Sequence, residues 1–506
     1  NSAKPAKHAE VLLAHMVRFS AILQGHYTGT ISWDVVNISF APYLCQKSDK
    51  EVRQFAQMLV YEFSQLAATR GGQALYTDIH LYYDMPDAWA ELPAIGPEGL
   101  HTGKTYREYA SEARRFTRAI FEVFKKGDAA GKPFILPRPL LHITEGFWGE
   151  PGADEMLNLA CDVAGCQGNT CFVFERPDEA LTTGCFNNVF MKDASARGER
   201  DKPWLMRQAA IQSVTLNLPR LGYKAEGHET KLFEQLKKMM ATAVQAHIQK
   251  KDFLEKLLSF AEQGPLAVLA MNADGSPLLR MNRAYYIIGL VGLNELARIC
   301  KGSEMHESQE ATDFGLKVVG FLHREAGRLS SEFGMKFVLE QSPAETTAYR
   351  FARLDLKYFS PGAGRYVLGD IAEGSIYYTN STCLNTAADI TPLLKVQEEG
   401  KFHRYLAGEV ITHLQLGDVH PGVEVLGRFV KRVFKESASR QIDFTPEFTS
   451  CLACGKTTRG LKGKCVYCGS SDVEGIAKLT KYLSRISGWN RGKLAELRNR
   501  KISRDF

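Results

Sequence analysis

Four cysteines near the C-terminal end carry the clearest chemistry in this chain. Cys451-Leu-Ala-Cys454 and Cys465-Val-Tyr-Cys468 form two CxxC pairs with ten residues between them, and a glycine follows each pair directly. A CxxC turn aims two thiolates at one tetrahedral cation, and the glycine lets the backbone bend so that amides face the sulfurs. Four sulfur ligands close the shell, so structural zinc is the expected ion, with a redox dithiol and an iron–sulfur site as the competing readings. Gly488 lies twenty residues after Cys468, in Arg485-Ile-Ser-Gly488-Trp-Asn-Arg-Gly-Lys. With no Cβ, a glycine α-carbon can flatten and share an unpaired electron with both flanking peptide groups; an ordinary turn would use the same residues. Cys185 stands in the small polar stretch Leu181-Thr-Thr-Gly-Cys-Phe-Asn-Asn188, where Gly184 gives it backbone freedom.

The elements that must position these groups read as alternating helix and strand. Leu12, Met16, Phe19 and Leu23 recur at helical spacing within Ala9 to Leu23, and a second amphipathic stretch runs from Phe55 to Leu66. Gly71-Gly72 stops it, and Leu75, Thr77, Ile79, Leu81 and Tyr83 then alternate as in a strand. Tyr106 to Phe124 repeats the helical period, and Pro133 to Ile143 reads as extended. Further strands are expected at Thr170 to Phe174, Val214 to Leu218, Leu266 to Met271, Lys336 to Leu339 and Ser375 to Tyr378. The alternation argues for α/β architecture, and enough strands are present for a closed barrel, although an open doubly wound sheet would read alike. Character changes near Pro446, giving expected divisions at 1–445, 446–472 and 473–506.

Composition narrows the function classes. The chain has 506 residues, 44% hydrophobic and 24% charged, as expected of a folded soluble protein with a sizeable core. A net charge of +6, spread along the chain except for a basic C-terminal tail, disfavours nucleic-acid binding but suits a polyanionic small substrate. No apolar run reaches membrane-span length, and no secretory signal opens the chain, so the cytoplasm is the expected compartment. The 11 cysteines are then expected to serve metal or thiol chemistry. Cys45, Cys161, Cys166, Cys171 and Cys300 sit mostly among apolar neighbours and are expected to pack in the core, whereas Cys383 follows Thr-Asn-Ser-Thr and is the rival to Cys185. The opening residue, Asn1, leads straight into an amphipathic pattern, as if the sequence began inside a longer polypeptide.

A cysteine ribbon followed by Arg-Ile-Ser-Gly-Trp resembles the anaerobic, glycyl-radical ribonucleotide reductases. Lys4-Pro-Ala-Lys-His-Ala-Glu-Val, Arg70-Gly-Gly-Gln73, Val214-Thr-Leu-Asn-Leu-Pro-Arg220, Ser342-Pro-Ala-Glu-Thr-Thr347 and Tyr377-Tyr-Thr-Asn-Ser-Thr382 resemble the same family in order along nearly the whole chain. The resemblance implies a ten-stranded α/β barrel made of two oppositely directed five-stranded parallel sheets. Two loops meet at its centre, one with the radical on Gly488 and one with Cys185.

The implied activity is reduction of ribonucleotides, with triphosphates as the expected substrates. A separate activase carrying a 4Fe-4S cluster and using S-adenosylmethionine would take a hydrogen atom from Gly488. Cys185 would then take the 3′-hydrogen of the ribose, with formate or a redoxin as the ultimate reductant. Thr379, Asn380, Ser381 and Thr382 offer short donors for ribose or phosphate oxygens, or form a turn or helix cap; Asn217 would orient ribose or formate, or bond to backbone. The charged stretch Lys493 to Arg500 is expected to be a solvated helix face packing the radical loop. The family also implies nucleotide effectors and a homodimer, with no membrane or nucleic-acid partner. In one respect the chain departs from the family: only Cys185 follows Gly184, where relatives often have two adjacent cysteines, and a further active-site cysteine lies in a more N-terminal region that this chain is expected to lack. Another glycyl radical enzyme, an acyltransferase or dehydratase, and a zinc-ribbon nucleic-acid-binding protein are the alternatives.

Overall fold

The computed structural model describes residues 3–69, 74–176, 207–272, 275–341, 343–408 and 410–506, without the side chains of 66–69. Cys185, Gly184 and the whole of Leu181 to Asn188 lie outside the described residues.

Along the chain the strands are β1 (Ile31–Trp33), β2 (Thr77–Tyr82), the hairpin β3 (Pro93–Ile95) and β4 (His101–Thr105), β5 (Arg138–Ile143) and β6 (Cys171–Phe174). They continue as β7 (Ala210–Asn217), β8 (Tyr285–Val291), β9 (Lys336–Glu340), the hairpin β10 (Leu368–Asp370) and β11 (Ser375–Tyr377), β12 (Thr412–Gly417) and β13 (Gln441–Pro446). The last four are β14 (Phe448–Cys451), β15 (Thr457–Arg459), β16 (Val473–Lys478) and β17 (Leu483–Arg485).

The main sheet has six strands in the order β1-β2-β5-β6-β13-β12. Its first four run parallel, β13 pairs antiparallel with β6, and β12 runs parallel to β13, so one sheet holds two opposed sets. A second sheet, β7-β8-β9, is wholly parallel. The approach to β12 closes on the end of β9, where the Ala407 amide donates to the Leu339 carbonyl at 2.8 Å and the Ile411 amide to Gln341 Oε1 at 2.7 Å. Opposed parallel sets agree with the expected barrel type. Among the described residues these two sheets hold nine strands, where the resemblance implies ten.

Alternation along the strands explains how the barrel is filled. Ile79, Leu81, Leu141, Ile143, Phe172, Leu414, Ile442 and Phe444 face an apolar core shared with the helices Ala9–Leu23, Asp49–Thr69, Ala110–Lys126, Ala153–Gln167 and Val423–Glu436. The intervening residues, Asp78, His80, Tyr82, Arg138, His142 and Asp443, therefore face the other side, and they are buried as well. A second apolar core lies between the three-stranded sheet and the helices Glu229–Leu258 and Gln309–Phe333. Thus in the main sheet one apolar face packs outward on helices, and on β2, β5 and β13 buried polar residues face the interior.

Several expected elements match closely. The helix Ala9–Leu23 has the expected bounds, and strands occupy most of Leu75 to Tyr83, Thr170 to Phe174 and Lys336 to Leu339. Leu266 to Met271 is not a strand: Ala267–Ala270 forms one helical turn beneath the 30-residue helix Glu229–Leu258. Its apolar run is too short to separate strand from helix by pattern, and local packing decides.

Candidate active site and metal centre

The four cysteines converge. Their sulfurs all lie within 4.8 Å of one another, with Cys451 to Cys468 at 3.6 Å and Cys454 to Cys465 at 3.7 Å. A tetrahedral zinc with bonds of about 2.3 Å sets its sulfurs about 3.8 Å apart, so the cage fits that ion. Amides of Cys454 and Tyr467 donate to Cys451 Sγ and Cys465 Sγ, each at 3.4 Å. Gly455 and Gly469 adopt φ of +72° and +76°, the left-handed turn that brings each knuckle back on itself.

The ribbon is a four-stranded antiparallel sheet in the order β15-β14-β16-β17. β16 begins at Val473, so the expected division between 472 and 473 falls inside one sheet that joins the cysteine cage to the C-terminal segment. β16 and β17 form a hairpin whose last pair is Lys478 with Leu483, leaving Leu479 to Tyr482 as the loop. This loop enters the barrel. Lys478 Nζ, with the residue 3% exposed, meets Asp443 Oδ2 of β13 at 2.8 Å. Tyr482 Oη donates to Asp78 Oδ1 of β2 at 3.0 Å and pairs with Thr30 Oγ1 at 2.8 Å. Arg138 of β5 holds Asp78 with two hydrogen bonds, at 2.6 and 3.0 Å, and lies over the Tyr482 ring. The hairpin thus spans the main sheet from β13 to β2.

Gly488 is not on that loop. It ends a single 3-10 turn, Ile486–Gly488, is exposed, and has no atom within 4 Å of where a Cβ would stand. Ser487 Oγ donates to Glu474 Oε2 at 2.7 Å and Trp489 Nε1 to Ser484 Oγ at 2.8 Å, which tie this turn to the outer part of the ribbon sheet. The expected meeting of Gly488 with the barrel centre is therefore not what this structure has. The register of β17 puts three residues, Leu483 to Arg485, between the loop and that turn, and the chain leaves the barrel along them.

A cavity beside the hairpin is lined by Thr379, Asn380, Cys383, Lys395, Glu399 and His413, with Leu479, Thr480 and the helix residues Lys493, Glu496 and Arg500 closing it. Thr379 lines the cavity, but its hydroxyl and amide both donate to Glu295, at 2.7 and 3.1 Å. Glu295 is fully buried, and loss of solvation pushes its pKa up to about 7 against the pull of those two donors. Asn380 Oδ1 and the buried Ser381 Oγ have no hydrogen-bond partner among the described residues, and Ser381 sits at φ +48°. Ser381 and Thr382 are buried without lining the cavity. Asn217 caps the helix Leu218–Ala225, accepting from the Arg220 amide at 3.2 Å and donating to Asp355 at 3.0 Å, so it serves local structure. Cys383 accepts from Gln341 Nε2 at 2.9 Å, and burial raises its thiol far above the usual range, so it stays protonated.

The tail helix Arg491–Asn499 corrects the expected solvated face. Lys493 is 7% and Arg500 9% exposed, and both pair with Glu496, at 2.7 and 3.2 Å. Burial would raise the Glu496 pKa, but the two cations outweigh it and hold the carboxyl below its usual range. The helix is pinned because Gly492 lies against the Ile376 carbonyl, where a Cβ would come within 2.4 Å.

Sequence reasoning missed the interior polar faces. His80 Nδ1 and His142 Nε2 are 2.8 Å apart, His142 Nδ1 and Glu175 Oε1 2.6 Å, and Tyr82 stacks on His142. His413 Nδ1 meets Asp443 Oδ1 at 2.7 Å. The signal was present as period-two polarity in Thr-Asp-Ile-His-Leu-Tyr and Gln-Ile-Asp-Phe-Thr-Pro. A smaller group, Asp162, Cys166 and His420, also has ligand spacing, but Lys125 already pairs with Asp162 at 2.7 Å.

Opposed parallel strand sets around a buried polar interior, entered by a hairpin from a four-cysteine ribbon, define a barrel of the glycyl radical enzyme class. The family model described as anaerobic ribonucleoside-triphosphate reductase matches residues 1–502, and the chain belongs to that family. It is 24% identical to the anaerobic ribonucleoside-triphosphate reductase of Enterobacteria phage T4 over 98% of this chain and 82% of the relative. The Salmonella typhimurium enzyme of that name is 25% identical, over 57% of this chain and 41% of the relative. The fold matches the anaerobic ribonucleotide reductase of Thermotoga maritima solved with dATP and CTP, at TM-score 0.73 and 17% identity over 98% of this chain and 78% of that one. Another solved anaerobic ribonucleotide reductase gives 0.78 and 18% identity over 100% of this chain and 78% of that one. Among the described residues no helix is long and apolar enough to cross a membrane.

Proposed function

We propose that this barrel serves the anaerobic reduction of ribonucleotides, triphosphates first, to deoxyribonucleotides. Family membership over residues 1–502 carries the reading. The buried polar interior supports it, since a ribose must be held away from water while its hydrogen-bonding groups are matched. Asn380 is the candidate contact to ribose or phosphate, because it lines the cavity and its buried Oδ1 has no partner among the described residues, with Ser381 buried behind it. Thr379 supports them through Glu295. Cys185 is the residue that the resemblance assigns to the ribose 3′-hydrogen.

Cys451, Cys454, Cys465 and Cys468 would hold zinc, which would lock the ribbon that carries the hairpin, a structural task. Gly488 would be the glycine that carries the radical, and its exposed place on the ribbon leaves its α-carbon accessible. An activase using S-adenosylmethionine, formate or a redoxin as reductant, nucleotide effectors, a homodimer and a cytoplasmic setting follow from the family as further parts of the proposal.

Titration of the full chain with ribonucleoside triphosphates in a calorimeter tests the reading. Saturable binding that weakens in Asn380→Leu supports it. Absence of binding to any ribonucleoside triphosphate or diphosphate at millimolar concentration would refute it.

A further inference from the structure

We propose that Asp162, Cys166 and His420 form a second divalent-metal site, weaker than the four-cysteine cage, at the joint where the ribbon meets the barrel wall. The proposal is independent of the reductase reading, since it concerns a site outside the barrel interior.

The ligands come from two elements. Asp162 and Cys166 stand one turn apart on the helix Ala153–Gln167 and so share a face. Cys166 Sγ donates to Asp162 Oδ1 at 3.2 Å and lies 2.9 Å from Nε2 of His420, which belongs to the turn between β12 and the helix Val423–Glu436. All three ligand atoms lie within 4.8 Å of one another. A tetrahedral zinc or cobalt, with bonds of about 2.3 Å to sulfur and about 2.0–2.2 Å to nitrogen or oxygen, sets such atoms about 3.5 Å apart. The two sulfur contacts therefore need to open only slightly, and the exposed His420 ring is free to turn. Lys125 bonds Asp162 through Oδ2, at 2.7 Å, which leaves Oδ1 turned toward the sulfur.

The ribbon fixes both sides of this group. Arg459 of β15 donates to the carbonyl of Gly165 at 2.7 Å, to that of Asp418 at 3.2 Å, and to that of Val419. It thereby grips the residue before Cys166 and the residue before His420. A metal held by Asp162, Cys166 and His420 would close the same joint a second time, from helix to turn.

The chemistry selects the ion. Burial and the neighbouring Asp162 push the Cys166 thiol up to about 11, with Arg459 and Lys125 pulling the other way, so it is protonated at neutral pH. Burial would raise the Asp162 carboxyl, but hydrogen bonds from Lys125 and Cys166 outweigh it and hold the group ionised. On binding, the metal takes the place of the thiol proton, which passes to water, and the imidazole coordinates through Nε2 with its own proton on Nδ1. One carboxylate and one thiolate then balance the two charges of the cation. A thiolate and an imidazole favour zinc or cobalt over magnesium or calcium. With three protein ligands, a fourth position left to water and the cations Lys125 and Arg459 close by, the site is the weaker of the two.

The experiment uses the full-length chain, reduced and desalted so that the ribbon alone is filled with zinc. Cobalt(II) is added anaerobically to micromolar concentrations and the sulfur-to-cobalt charge-transfer band is followed in the near ultraviolet, with elemental analysis confirming that the zinc stays in place. The wild type should take up one equivalent of cobalt and develop the band. Cys166→Ser should lose the band, and His420→Ala should weaken cobalt binding by about tenfold or more. Cys166→Ser is nearly isosteric and His420 is exposed, so both variants should keep the ribbon's zinc, which checks their folding. Cobalt should also slow exchange of the Val419 amide, bonded to the Leu416 carbonyl at 2.9 Å, in the wild type and not in His420→Ala. No cobalt uptake beyond the zinc-filled ribbon overturns the proposal, as does a band that persists in Cys166→Ser or cobalt binding unchanged in His420→Ala. The three residues would then be a thiol–imidazole–carboxylate hydrogen-bond group and no more.

Discussion

Tyr482 and Asp78 stand 404 residues apart in sequence and are joined by a 3.0 Å hydrogen bond that fastens the C-terminal hairpin to the second strand of the barrel. Asp78 is also held by Arg138, so the phenol docks on a carboxylate that is already oriented. Hydrogen bonds to charged groups contribute roughly 1.5–3 kcal/mol. Tyr482→Phe should therefore loosen the hairpin without unfolding the barrel. The Leu479 amide, bonded to the Tyr482 carbonyl at 3.0 Å, should exchange with deuterium about tenfold faster or more. Unchanged exchange at Leu479 would mean that the hairpin is held mainly by its other contacts.

How much of this was legible in the sequence depends on which force wrote it. The four-cysteine cage follows from spacing alone, because two CxxC turns leave few ways to arrange four sulfurs. The helix Ala9–Leu23 follows from its apolar period. The interior face was overlooked because strand patterns were read for apolar residues, and in Gln441–Pro446 the polar half, Gln441, Asp443 and Thr445, is as buried as the apolar half. Gly488 is marked by local sequence, whereas its exposed position follows from the β16–β17 register, a pairing fixed by tertiary contacts at Asp443 and Asp78 that no local motif reveals. The tail helix misled for the same reason: Lys493, Glu496 and Arg500 look solvated until the cavity wall is built around them.

The pair Asp443–Lys478 is buried on both sides, 0% and 3% exposed. Burial alone would raise the Asp443 carboxyl, but His413 and Lys478 beside it outweigh that and hold the pKa well below the usual range. Its contribution to stability is therefore complete above the unfolded-state value near 4 and is lost as pH falls further. Asp443→Asn leaves Lys478 charged without its carboxylate and should cost about 3–5 kcal/mol. Adding Lys478→Met removes the stranded charge and should recover most of the loss. A double mutant no more stable than Asp443→Asn in chemical denaturation would show that His413, not Lys478, is the partner that counts.

Zinc should be bound at about one equivalent per chain and lost in Cys454→Ser, as measured by elemental analysis. Because β14 pairs with both β15 and β16, its loss should also raise amide exchange across Thr457–Arg459 and Val473–Lys478. Acidification should release the metal as the thiolates protonate. Full zinc occupancy in Cys454→Ser would place the ion elsewhere.

Glu295 makes a prediction of opposite sign to Asp443. Its folded-state pKa, raised to about 7 by burial, lies above the ordinary glutamate value of 4.5, so the folded protein keeps a proton that the unfolded chain has already released. Stability contributed by this site must fall as pH rises from about 4.5 to about 7, by roughly 3 kcal/mol over the interval. Glu295→Gln keeps an acceptor for the Thr379 amide and a donor for its hydroxyl while removing the titration. The variant should therefore match the wild type near pH 5 and exceed it in denaturation midpoint at pH 8. A wild type and Glu295→Gln that differ equally at both pH values would show that the carboxyl is already ionised in the folded barrel, with the Thr379 donors outweighing the cost of burial.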